Sequence, residues 1–166
     1  MKMKTKILAL ILLTTCQIYS QKSNLKNKKM DTIETSTKPV KAFFDAFSKG
    51  DFQGILNTFH KDVVITAVRE ANQSGNEIYG TYNGIEGVKK FLSNLGAAFD
   101  TQAFTVQNIV GDKNVAFANG KFIHKVKQTE KLFASEWALY AVIKEGKIIE
   151  YHFYEDSEKF SKANTK

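Results

Sequence analysis

Residues 136–156 read EWALYAVIKEGKIIEYHFYED. Two runs dense in Val, Ile, Leu, Tyr and Phe flank Glu145-Gly146, the pattern of two antiparallel strands closed by a tight turn. The alternation extends upstream and predicts four strands, over 101–110, 113–126, 131–144 and 147–156. Turns fall at Gly111-Asp112, Lys127 to Glu130 and Glu145-Gly146.

Ahead of Thr101 the period is helical. Ser36 or Thr37 can cap a helix that accepts Pro39 in its first turn, and Val40, Phe43, Phe44 and Phe47 give it one apolar face before Gly50. Asp51 caps a short second helix, and DVVITAV at 62–68 reads as a strand. Tyr79 to Tyr82 makes a second short strand. Asn83-Gly84-Ile85-Glu86 has capping-box spacing and opens a third helix with Ile85, Val88, Phe91, Leu92 and Leu95 inward. Helices first and an antiparallel meander last is an α+β pattern.

The 166 residues are 43% hydrophobic and 12% aromatic, which suits one domain with a packed core. The formal charge of +7 sits outside that domain. Of 24 Lys and Arg, 3 lie in residues 1–20 and 4 in residues 21–29, while the remaining 17 are offset by 17 Asp and Glu. A nucleic-acid reader needs a basic face on the domain itself, so nucleic acid is not an expected partner.

Residues 1–20 have a basic start, an apolar run from Ile7 to Leu13 and a small-residue end at Ser20, the form of an export signal. The run is too short for a permanent membrane span. Cleavage after Ser20 predicts a periplasmic or secreted protein. The alternative is Leu13-Thr14-Thr15-Cys16, which resembles a lipoprotein box and would leave a lipid anchor on Cys16. A polar leader over 21–35, a domain over 36–160 and a tail over 161–166 complete the division. Cys16 is the only cysteine, so no disulfide is expected.

The phrases SKGDFQGILNTFHKDVVIT, YNGIEGVKKFL and VIKEGKIIEYHFYED, in that order, resemble the SnoaL-like branch of the nuclear transport factor 2-like (NTF2-like) superfamily. The resemblance covers about residues 38–160. It implies a cone, with three N-terminal-half helices packed on a curved, mostly antiparallel sheet, a hollow for a small apolar molecule, and dimerisation. It does not imply one activity, because the family spans isomerases, cyclases, epoxide hydrolases and members that only bind. The ketosteroid isomerase positions for tyrosine, base and second acid fall on Phe43, Ala67 and a site at or beside Ala138. The cyclase acid falls on Phe153, and Arg69 is the only arginine available for an epoxide hydrolase set. None of these acid–base sets is present.

Strand pairing supplies a candidate pocket. A loop centred on Gln128-Thr129 and a turn centred on Glu145-Gly146 give four rows on one face: Val115, Val142, Ile149; Phe117, Tyr140, Tyr151; Asn119, Ala138, Phe153; and Lys121, Glu136, Glu155. With Phe43 these rows are the expected ligand pocket. Glu136 and Glu155 are the candidate acid–base residues, or a salt-bridged rim with Lys121; Tyr140 and Tyr151 are candidate donors, or core aromatics. The opposite face, with Phe122, Trp137, Leu139, His152 and Tyr154, is the expected dimer surface. His60, His124 and His152 are too scattered to suggest a metal site, and no cofactor motif occurs. Three readings stay open: a binder of a small apolar or amphipathic molecule, an isomerase, cyclase or hydrolase with a pocket Glu as base, and a non-catalytic dimeric module whose cone is filled by its own side chains.

Overall fold

The computed structural model describes residues 26, 30, 34–70 and 78–166. The expected signal, Cys16 and most of the leader lie outside the described residues. Helix α1 is described over 34–48, followed by α2 (Phe52–Thr58), β1 (Phe59–Ala67), β2 (Gly80–Asn83), α3 (Gly84–Ala98), β3 (Phe99–Asp112), β4 (Val115–Val126), β5 (Leu132–Lys144), β6 (Lys147–Glu155) and α4 (Ser157–Asn164). The six strands form one sheet in the order β2-β1-β6-β5-β4-β3, and β1 with β6 is its parallel pair. This is the expected α+β cone, with α4 added beyond the expected last strand.

Helix α1 buries Val40, Phe43 and Phe44, as its spacing demands, and Gly50 ends it with φ +65°. Ser36 and Thr37 do not cap it. They lie inside the helix and are fully buried against β3, where a Cβ on Gly111 would collide with Ser36. Asp51 does cap α2, accepting the Gly54 N–H at 2.8 Å. Helix α3 buries Val88, Phe91 and Asn94. Asn94 Nδ2 donates to the Tyr82 hydroxyl (3.1 Å), which itself donates to the Ile78 carbonyl (2.7 Å), so a buried polar chain pins α3 to β2.

The sheet curls because β3 breaks register with β4 between Thr101 and Ala103 and again between Val106 and Asn108. One further bulge decides which residues face the helices. Pairing of β4 with β5 is as expected, Phe117 with Tyr140 and Lys121 with Glu136. Pairing of β5 with β6 starts at Lys144 with Lys147 and Ile143 with Ile148, then skips Ile149, so that Val142 meets Glu150. Beyond the bulge Ala141 meets Tyr151, Leu139 meets Phe153, and Trp137 meets Glu155. Side chains alternate with period two, so this single residue exchanges the faces of β4 and β5 relative to β6.

The expected rows are therefore corrected. The concave face carries Ala116, Ala118, Phe122, Phe133, Trp137, Leu139 and Ala141 from β4 and β5 beside Tyr151 of β6, all buried. Phe122, Trp137 and Leu139, expected on a dimer face, are core. Phe117, Asn119, Lys121, Glu136 and Tyr140, expected in the pocket, lie on the convex face. Transfer energetics explain the choice: burying Lys121 and Glu136 costs several kcal/mol per ion, whereas burying each large apolar side chain gains about 1.5–3 kcal/mol. Gly120 is needed on the concave face, because a Cβ there would strike the Thr105 carbonyl and lie 2.7 Å from the Trp137 ring.

Candidate functional site

A cavity of about 240 Å³ lies between the helices and the concave face. Helix α1 contributes Phe43, Phe44 and Phe47, and α3 contributes Phe91, Leu92 and Leu95. Strand β3 adds Phe99, Thr101 and Phe104, β4 adds His124, and β6 adds Tyr151, Phe153 and Glu155; Val68, Ile78 and Tyr79 close the end where β1 leads to β2. The volume equals about eight waters at ~30 Å³ each. It lies just below the ~300–1,000 Å³ usual for ligand sites, which limits the occupant to a small molecule.

Two polar pairs interrupt the aromatic wall. Tyr79 donates its hydroxyl proton to Glu155 Oε1 at 2.8 Å. Burial pushes the Glu155 carboxyl up to about 7, against a smaller opposing effect of that hydrogen bond. The Tyr79 hydroxyl is raised far above its ordinary range, by burial first and by the Glu155 charge second. Arg69 lies 5.5 Å from the centroid of the Tyr79 ring. The second pair is Thr101 Oγ1 with His124 Nδ1 at 3.0 Å. The His124 ring is stacked on Phe99 and Phe122, at 4.8 and 4.1 Å between centroids, and burial pushes it down to about 4. It is a neutral imidazole at neutral pH. A carboxyl that titrates near 7 can both take and return a proton, so Glu155 has the property that general acid–base work requires.

The backbone is strained at the same end of the cavity. Val68 adopts φ +64°, a left-handed conformation that a β-branched residue reaches at a cost of about 1–3 kcal/mol. Its N–H donates to the Phe153 carbonyl at 2.8 Å, which holds β1 to β6 where the side chain meets the cavity. Phe160 of α4 packs on Tyr79 and Phe99, at 5.2 and 5.5 Å, and so backs two residues of the cavity wall.

Of the sequence-derived pocket residues, Phe43, Tyr151, Phe153 and Glu155 line this cavity. Tyr151 is buried against Phe43 (5.4 Å) and Phe59 (5.9 Å). Glu136 is separated from Glu155: it sits on the convex face, is 78% exposed at its side chain and pairs with Lys121 at 2.9 Å. That hydrogen bond holds the Glu136 carboxyl below its ordinary range, the opposite of what a general base needs. His124, on the same face of β4 as Phe122, lines the cavity. His152 and Tyr154 lie on the convex face, where the His152 ring is 5.5 Å from that of Tyr140. Tyr79, Thr101 and Phe104 are site residues that the sequence reading passed over. Among the described residues no group of three His, Cys, Asp or Glu side chains is placed to hold a metal. The indole N–H of Trp137 is buried without a hydrogen-bond partner, enclosed by Phe44, Phe104 and Phe153.

A family model for the SnoaL-like domain matches residues 40–151, most of the described domain. The chain belongs to the SnoaL-like domain family. Solved structures agree in fold. An NTF2-like protein from Burkholderia xenovorans superposes with TM-score 0.69 at 19% identity, over 80% of this chain and 98% of its own. TerC, co-crystallised with polyporic acid, gives 0.64 at 16% identity over 78% and 97%. A structure described as a SnoaL-like polyketide cyclase from Mesorhizobium loti gives 0.59 at 18% over 70% and 96%. No curated protein matches the sequence. The SnoaL-like fold suggests a small-molecule pocket. Among the described residues no helix is long and apolar enough to cross a membrane.

Proposed function

We propose that this SnoaL-like domain is an exported, dimeric binder of a small, largely apolar molecule whose one polar end is held by Glu155 and Tyr79. The observation that carries the reading is the cavity itself, walled by aromatic rings with a single carboxylate–phenol pair in it. TerC, similar in fold and co-crystallised with polyporic acid, supports a small-molecule reading of the cavity. Native mass spectrometry of the protein from its own envelope, alongside NMR titration with indole, tests it. Indole binds the wild type, and Leu92→Trp, which fills the cavity, abolishes uptake while the fold is kept. Unchanged uptake in a folded Leu92→Trp protein refutes the pocket.

A second reading is favoured by Glu155 alone: proton transfer on the bound molecule, an isomerisation or cyclisation, with Glu155 as base and Tyr79 orienting it. Glu155→Gln then keeps the ligand and loses turnover, and retained turnover excludes this reading.

Export rests on the signal-like residues 1–20, and N-terminal sequencing of the mature protein separates cleavage after Ser20 from a lipid-modified Cys16. Dimerisation rests on the convex face, where Phe117 is 50% exposed and Tyr154 47%, with Val110 and Ile123 also open to solvent. The paired double variant Phe117→Glu, Tyr154→Glu is monomeric in sedimentation velocity; a wild type that is itself monomeric at tens of micromolar refutes the dimer.

A further inference from the structure

Glu155 places a carboxylate in a cavity to which the described residues bring no positive charge. Among the described residues that line it, none is Lys or Arg, and His124 is neutral. Tyr79 donates to it from the β1–β2 connection, and Tyr151 lies four residues back on its own strand. Arg69 lies over the Tyr79 ring. Asp156, next in sequence, caps α4 and is paired with Lys159 at 3.2 Å. Helices α1 and α3 bring only Phe and Leu side chains to the cavity.

A lone carboxylate among phenyl faces is one half of a recognition site. Ring faces carry negative quadrupole potential and attract cations, and the attraction strengthens where water is excluded. An anion entering here meets Glu155 with no compensating charge. A neutral molecule leaves the carboxylate with the Tyr79 hydrogen bond alone. A protonated amine supplies the missing counter-charge and spreads its apolar body over the rings of Phe43, Phe44, Phe47, Phe104 and Phe153.

We propose that the cavity selects a small organic cation, an ammonium group on an aromatic or short aliphatic body, with Glu155 as counter-ion and the surrounding rings as its cage. The inference rests on the binding function above and specifies its ligand class. It carries a linkage: the cation binds the ionised carboxylate, so binding expels the Glu155 proton below the carboxyl's free titration range. Affinity rises with pH up to about 7 and falls about tenfold for each pH unit below it.

Isothermal titration of the full chain with a matched series tests this: 2-phenylethylamine as the cation, 2-phenylethanol as the neutral isostere, and phenylacetate as the anion. The amine binds about tenfold or more tighter than the alcohol at about pH 8, and phenylacetate is weakest. Glu155→Gln brings amine and alcohol to equal affinity while the alcohol still binds, which shows that the variant is folded and its cavity intact. The pH dependence of amine binding is absent in that variant. Alcohol binding equal to or tighter than amine binding overturns the cation assignment and leaves the pocket standing. Failure of all three probes, with Leu92→Trp behaving as wild type toward indole, removes the pocket and the inference together.

Discussion

Replacing Glu155 by Gln isolates what it costs to hold a carboxylate in the cavity. The substitution keeps the side chain's shape and an acceptor for the Tyr79 hydroxyl. Burial lifts Glu155 from 4.5 to about 7, so between those values the folded protein holds a proton that the unfolded chain has released. Stability then falls as pH rises: the contribution is fully present below 4.5 and is lost through 7, up to about 3 kcal/mol in all. His124 has the opposite sign. Its folded value of about 4 lies below the ordinary 6.5, so the unfolded chain binds the extra proton and stability is lost as pH falls from 6.5 to 4. From 4.5 to 6.5 the two slopes oppose and nearly cancel in the wild type. In Glu155→Gln the His124 slope stands alone, and stability climbs by up to about 3 kcal/mol across that range. The variant's margin over the wild type grows with pH and levels off above about 7. Urea unfolding at closely spaced pH values, followed by fluorescence of Trp137, the only tryptophan, measures both profiles. Parallel profiles would show that Glu155 titrates as an ordinary surface carboxyl, and the account of the cavity's electrostatics would fail.

Gly120→Ala drives a methyl group into the Thr105 carbonyl and the Trp137 ring, and a loss of about 3 kcal/mol or more in urea unfolding is expected; a loss below about 1 kcal/mol means that β3 and β4 separate freely. Phe160→Ala removes the ring behind Tyr79 and Phe99, costs about 2 kcal/mol because the side chain is only half-buried, and speeds ligand release in stopped-flow exchange. Glu136→Gln, at the exposed pair with Lys121, leaves thermal stability and ligand affinity at the wild-type level by calorimetry, and a lost ligand would return Glu136 to the candidate site.

The α+β order, the four long strands and the β4–β5 register were legible in the residues, and the cone was implied by the family resemblance. What misplaced the pocket was one residue, Ile149. Alternation fixes which side chains share a face within a strand, but carrying that face across a hairpin assumes an unbroken ladder, and the bulge breaks it. A check was nonetheless available in composition. The face holding Lys121, Glu136 and Asn119 could not be the one inside, given that the other held Trp137, Leu139 and Phe122. Tyr79 was hidden because IYGTY is too short to show a period and its partner, Glu155, lies 76 residues away. Helix α4 left little trace, since SEKFSKAN offers Phe160 alone as a large apolar residue; its one signal is Asp156, which accepts the Lys159 N–H at 3.0 Å as a cap.

The seat of β6 in the sheet also dictates when the molecule can fold. It is the last strand made, yet it stands between β1 and β5, and its parallel partner β1 lies some eighty residues earlier. Until Lys147 to Glu155 are available, β1 and β2 form a two-stranded ribbon separated from the β3–β5 meander, and the concave wall lacks Tyr151, Phe153 and Glu155. Such a non-local closing step is slow compared with hairpin formation. A chain cut short before Lys147 therefore exposes two further strand edges, those of β1 and β5, beside the β2 and β3 edges of the finished sheet, and such unpaired edges are templates for pairing with other chains.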